Sequence, residues 1–325
     1  MSSVKLQKPA PSFAPSRKHV ANRIWQNRYI YMMVIPVLAY MILFKYMPMY
    51  FLRAAFYDYK LLKGFDGSKF VGLKWFERLL SSPDLWQYIK NTLSLNLLSL
   101  AIVFPAPLVF AILLNEINNA PYKKIVQTVS YLPHFISTVV LVSMINTICS
   151  PSLGVLAKIY KSMGLTPVNF MGNPDYFYAI NIISGLWQGT GWNAVIYISA
   201  ITGIDHCLYE AARIDGANRW QTLWRVTIPN VMPSITICMF LSLTNGFKLF
   251  DQNLALTDGR PFQQLGNGET IKTTEMLALN IVNAFGTNGG GNRGVGQAKA
   301  VIFFIVVAAI SIIQLQASRR KEVQQ

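Results

Sequence analysis

Long apolar runs alternate with short polar segments from residue 29 onward, and their spacing sets the architecture. A helix crossing a bilayer needs about 20 mostly apolar residues. Six stretches meet that demand, at about residues 29–56, 88–115, 126–149, 178–202, 231–250 and 296–315. Six crossings place both termini on one side. Basic residues in the N-terminal tail, the 116–124 turn, the 204–229 loop and the C-terminus fall there, which makes that side cytoplasmic. The pattern predicts an all-α membrane protein with a cytoplasmic tail over 1–28, a membrane domain over 29–318 and a second cytoplasmic tail over 319–325.

Several runs are interrupted. Pro105 and Pro107 free backbone carbonyls inside the second run and predict a kink, either for packing or for flexing. The third run holds Pro133 and His134, and the histidine reads either as a packing residue or as a proton relay. The fourth carries Trp187, Gln188, Trp192 and Asn193 among three glycines. Amides at membrane depth avoid lipid, so they predict a pathway lining or a contact between helices, and aromatic faces beside amides suit sugar rings. In the fifth, Ser242, Asn245 and Lys248 follow a three-residue spacing near one helix face. Lys248 is costly there unless it snorkels, pairs with Asp251 or meets an acidic ligand. Between the first two runs, Trp75 and Phe76 read as an interfacial piece at the membrane surface. The 257–274 loop, with Gln263 to Glu269, is either a tolerated insertion or a contact for an extracytoplasmic receptor.

Composition agrees with a membrane protein. The 325 residues are 52% hydrophobic and 13% charged, against about 25% charged for soluble domains. The net charge of +15 is spread over loops and termini, which favours anionic membrane lipid as a partner over nucleic acid. Cys149, Cys207 and Cys238 have no metal or redox spacing and read as small apolar fillers. No cleavable signal is legible in the polar, basic first 28 residues. No catalytic set converges at membrane depth, so the chain is read as a non-enzyme without a metal.

The stretch Ile204–Pro233 is polar and charged, yet it lies between two long apolar runs. Asp205 suits an N-cap, residues 208–214 read as a short helix, and Gly216 can take the positive φ of a turn. A second helical stretch over 219–226 follows, and Pro229 and Pro233 start the next membrane segment. Ala211 and Ala212 let another backbone approach, and Glu210, Arg213 and Asp215 can pair across such a contact.

Glu210-Ala211-Ala212, Gly216, Val226, Ile228 and Pro229 carry a resemblance to the EAA loop of permeases from binding-protein-dependent ABC importers. The likeness extends over nearly the whole chain, to the maltose-type permeases of oligosaccharide and polysaccharide uptake. It implies the ABC type I importer permease fold, with about six transmembrane helices and a cytoplasmic coupling helix in a loop at about 204–229. It also implies a bacterial inner-membrane location, a second homologous permease, an ATPase subunit dimer, an extracytoplasmic solute-binding protein and an oligosaccharide substrate. ATP-Mg would belong to the ATPases, since this chain has no Gly-x-x-x-x-Gly-Lys-[Ser/Thr] phosphate loop and carries no cofactor of its own. ATPase coupling would fall to Glu210, Ala211, Ala212, Arg213, Asp215 and Gly216. Ser242 matches a sugar-contacting position of the maltose-type permease, without that permease's neighbouring polar contacts. The expected pathway is Trp187, Gln188, Trp192, Asn193, Ser242, Asn245 and Lys248. If Lys248 meets substrate, an acidic, uronate or alginate-like sugar is expected. A proton-coupled secondary transporter is the rival, although it would need buried carboxylates that the membrane runs scarcely contain.

Overall fold

The computed structural model describes residues 25–60, 63–247, 251–264, 270–285 and 293–322. The chain divides into two units, Met1–Arg53 and Ala54–Gln325. In the first, α1 (Arg28–Met41) continues into a π-turn over Ile42–Tyr46, and none of these side chains is buried.

The second unit contains an antiparallel hairpin, β1 (Tyr57–Lys60) against β2 (Gly64–Phe70), with Tyr57 opposite Phe70. It leads to α2 (Lys74–Leu80). Trp75 does not take the predicted place at the membrane surface. It is 5% exposed and packs with Leu79, Leu85, Tyr88, Leu277 and Ala298. Its indole N–H donates to the Tyr57 carbonyl at 3.0 Å, which satisfies the polar edge and lets the ring be buried.

Next come α3 (Pro83–Leu98) and α4 (Pro105–Asn115), joined by a π-turn at Ser99–Val103. They are followed by α5 (Ala120–Tyr131), α6 (Thr138–Cys149), α7 (Val155–Ser162) and α8 (Phe177–Thr202). Beyond these lie α9 (His206–Ile214), α10 (Arg219–Thr222), a π-turn at Leu223–Thr227 and α11 (Ile228–Gly246). The chain closes with α12 (Asp251–Leu256), the hairpin β3 (Phe262–Gln264) with β4 (Thr270–Lys272), α13 (Leu277–Phe285) and α14 (Arg293–Glu322).

Among the described residues, four helical segments are long and apolar enough to cross a membrane: Arg28–Phe56, Leu85–Asn115, Arg219–Gly246 and Gly294–Ile313. A fifth is the pair Ala120–Phe135 and Thr138–Cys149, if it is taken together, but this pair is bent by 95°. The crossing predicted over 126–149 is therefore not one continuous helix but two, joined at this bend. Pro133 lies in the 3-10 turn Leu132–Phe135 just before the break, Ile136 is extended, and the Ser137 side chain accepts from the Val140 N–H to start a new helix. The 26 residues of α8 are long enough, but Gln188, Thr190 and Asn193 lower its apolar character.

Prolines inside the other spans act differently. The π-turns end two residues before Pro48, Pro105 and Pro229, and the N–H groups of Met47, Phe104 and Ile228 bond five residues back. A proline ring clashes with the carbonyl four residues earlier, and the wider π-turn relieves that crowding without ending the helix. The interruption predicted at Pro105 is thus a π-turn within one continuous helical span. Likewise, the helix predicted over 219–226 and the membrane segment after it form one span.

The bundle closes where Ala111 and Ala194 are fully buried beside Tyr197, Ile201 and Val231; small residues let α4 and α8 approach. A polar latch secures α12. The Asn253 amide donates to the Thr274 carbonyl at 2.9 Å and accepts from the Met276 N–H at 3.1 Å. Asn91 on α3 donates to the carbonyls of Thr273 and Glu275. The buried Glu275 carboxylate accepts from Asn280 and Asn283. The predicted 257–274 loop thus has a firmly held base, while residues 265–269 lie outside the described residues.

Candidate functional site

A cavity of 380 Å³ opens between α3, its π-turn, α8 and α11, a volume suited to small-molecule ligands. Asn193, Ser242 and Asn245, all predicted pathway residues, line it together. Asn96, Asn181 and Gln252 join them, none of which was in the predicted set. Asn96 and Asn181 donate to carbonyls of their own helices, and Gln252 donates to Ser184 Oγ at 2.9 Å. Among the described residues, the side chains of Asn193, Ser242 and Asn245 make no hydrogen bond. Their donors and acceptors are open to a hydroxylated ligand.

The other predicted pathway residues lie elsewhere. Gln188 donates to the Ile136 carbonyl at 2.8 Å and ties α8 to the break between α5 and α6. Trp192 stacks on His134 with ring centroids 4.6 Å apart, and Trp187 is exposed. Gly191 allows this closeness, because a Cβ there would lie 2.0 Å from the Ser130 carbonyl oxygen. Gln188 and Trp192 thus make contacts at the junction beside the bend, and Lys248 lies outside the described residues. Asn96 and Asn181 had the same signal as Asn193, an amide inside an apolar run. Position across distant segments, rather than local pattern, brings them together.

The second polar region is the loop. Asp205 Oδ1 accepts from the Cys207 N–H at 2.9 Å and caps α9. That backbone hydrogen bond holds the Asp205 carboxyl below its ordinary value. Gly216 has φ +74° as the chain leaves α9, and the Ala217 N–H returns to the Ala212 carbonyl. Asn218 and Gln221 then form a reciprocal capping box that starts α10. Glu210, Ala211, Arg213, Asp215 and Gly216 are exposed, and Ala212 is half-buried. Tyr209 OH meets Thr227 Oγ1 at 3.2 Å, joining α9 to the π-turn before α11. Arg219 pairs with Glu116 at 3.0 Å. The result is a well-capped exposed helix attached to a membrane span.

Comparison with known proteins identifies the family. Residues 104–323 match the family described as binding-protein-dependent transport system inner membrane component. The polygalacturonan/rhamnogalacturonan transport system permease protein YteP of Bacillus subtilis (strain 168) is 39% identical over 72% of this chain and 73% of its own length. A probable starch degradation products transport system permease protein, AmyD of Thermoanaerobacterium thermosulfurigenes, is 32% identical over 96% of this chain and 99% of its own. The structure also resembles a bacterial alginate ABC transporter solved in complex with an alginate pentasaccharide-bound periplasmic protein. That match has TM-score 0.78 and 31% identity, and it covers 92% of this chain and 96% of the other. The chain therefore belongs to the family of binding-protein-dependent transport system inner membrane components, as a permease of the sugar and polysaccharide ABC importer type.

Proposed function

We propose that this chain is one of two homologous permeases that import acidic oligosaccharides at the expense of ATP hydrolysed by a separate ATPase dimer. The observation that carries the proposal is the 380 Å³ cavity with open amide and hydroxyl groups, in a chain resembling an alginate transporter along nearly its whole length. Hydroxyl and amide donors suit sugar rings, which offer both donors and acceptors. The names of YteP and the alginate transporter favour a uronate-rich substrate, and that of AmyD leaves a neutral glucan as the competing outcome. An extracytoplasmic binding protein delivers the sugar, as a periplasmic protein accompanies the alginate transporter.

In this reading α9 is the coupling helix and faces the cytoplasm with both termini. ATPase closure pushes on the surface of Glu210, Ala211 and Ala212. Arg213, Asp215 and Gly216 complete that surface, and the Tyr209–Thr227 contact passes the displacement to the π-turn and α11. Ser242 and Asn245 ride on α11, so moving that helix changes the cavity wall.

The test is ATPase activity and uptake by the complex reconstituted in vesicles. Uronate oligosaccharides should stimulate hydrolysis more than neutral glucans of equal length. Equal or reversed stimulation overturns the acidic assignment. Glu210→Lys and Gly216→Pro should abolish uptake while the chain still inserts and residual hydrolysis persists; full uptake by either inserted variant overturns the coupling role. Proline is incompatible with the Gly216 φ of +74°.

A further inference from the structure

The segment between the coupling helix and the membrane span carries an aromatic and basic face that the transport reading leaves unused. Trp220 and Trp224 lie one turn apart, with ring centroids 5.8 Å apart and planes crossing at 70°. They remain 67% and 55% exposed. Arg219 and Arg225 flank the pair, and both are exposed. The Arg219–Glu116 pair brings the turn leading to Lys123 and Lys124 to the same end of the bundle.

Length fixes where this face stands. The helical segment Arg219–Gly246 has 28 residues. At 1.5 Å per residue that is ~42 Å, longer than the ~30 Å hydrocarbon layer. Arg225 is the last charged side chain in the segment. The remaining stretch to Gly246 is ~30 Å long and fills the hydrocarbon by itself. Residues 219–225 are left over, and they fall in the headgroup layer. Indole rings prefer that layer because it meets both their apolar faces and their N–H groups. Arginine offers planar paired donors to phosphate oxygens and is attracted to the negative leaflet.

We propose that Trp220 and Trp224, with Arg219 and Arg225, anchor the base of the α10–α11 span in anionic phospholipid headgroups. The anchor fixes the depth of the span next to the π-turn, so a push on α9 tilts α11 rather than sliding it through the bilayer. The proposal rests on the membrane placement of the span and not on the identity of the sugar.

The test uses the full chain in lipid nanodiscs, with emission from this pair isolated by difference against a Trp220→Phe/Trp224→Phe variant. Headgroup spin-labelled phosphatidylcholine should quench the pair several-fold more than phosphatidylcholine labelled at the chain end. Adding phosphatidylglycerol should increase protection from aqueous acrylamide, and Arg219→Gln/Arg225→Gln should remove that increase. Equal quenching by both labels, or free access to acrylamide whatever the lipid, overturns the anchor. Protection that arises only when the ATPase is added also overturns it, because a protein socket then covers the pair. Quenching reads lipid position without turnover, so failed uptake with correct quenching counts against the transport reading alone.

Discussion

The loop from Asp205 to Thr222 and the cavity beside α11 are both polar regions of an apolar chain, and they are held in opposite ways. The loop is specified by neighbours in sequence: the Asp205 cap, the Gly216 turn and the Asn218–Gln221 box each act within three residues or so. The cavity is specified by partners far apart, with Asn96, Asn181, Asn193, Ser242 and Gln252 drawn from four elements. A locally encoded part keeps its shape on its own surface and can act as a rigid projection. A part assembled from several helices changes whenever one of them moves. In the proposed function, force enters at the first region and access changes at the second, and that division suits both roles.

The cavity side of the comparison is the more vulnerable to a single buried substitution. Gln252 lines the cavity, and the next residue, Asn253, holds α12 against the base of the β3–β4 hairpin. Asn253→Leu leaves the Thr274 carbonyl and the Met276 N–H buried without this partner, at about 1–3 kcal/mol each. Thermal unfolding of the purified chain in detergent should shift down by several degrees, with reduced folded yield. An unchanged midpoint would mean that the cavity wall does not depend on this latch.

The loop should respond locally. Because accepting the Cys207 N–H holds the Asp205 carboxyl below its ordinary value, its contribution is complete above the unfolded carboxylate range. It is lost as pH falls through the lower folded value. Hydrogen exchange at the first amides of α9 should therefore show no pH-linked loss of protection near neutrality and a loss in strong acid. Asp205→Ala should lose the protection at every pH, while Asp205→Asn should keep the cap and drop the acid dependence. A global change in exchange across α11 would contradict local specification.

The same division explains what was legible in the sequence. Helices, turn and caps follow from periodicity and residue type, so α8, α9, Gly216 and α14 stand close to their predicted places, although α8 is not among the helices apolar enough to cross a membrane. The break after Pro133 was hidden because composition alone does not distinguish a proline absorbed by a π-turn from one beside a new N-cap; Ser137 decides it. Trp75 was misplaced because an exposed-looking aromatic pattern does not reveal that Tyr57 O will take its N–H. In the cavity, Asn193, Ser242 and Asn245 were legible as amides and hydroxyls at membrane depth. Gln188 and Trp192 carried the same signal but met Ile136 and His134, and no pattern within α8 separates the two outcomes.

The smallest expected effect lies at the ion pair that, among the described residues, the loop makes with another segment. Arg219 and Glu116 are 3.0 Å apart, a distance that invites a structural role. Their side chains are 89% and 54% exposed, however, so water screens the attraction and two mobile side chains must be held to form it. Such pairs contribute about 0–1 kcal/mol. Glu116→Gln should leave thermal stability and uptake nearly unchanged, because Asn218, Gln221 and the Gly216 turn already set the start of α10. Arg219→Gln should differ from it if Arg219 also meets lipid phosphate: protection of the Trp220–Trp224 pair from acrylamide in nanodiscs should become less sensitive to phosphatidylglycerol only in that variant. A large loss of uptake from Glu116→Gln would show that the loop needs a distant partner to hold its shape, and the contrast with the cavity would fail.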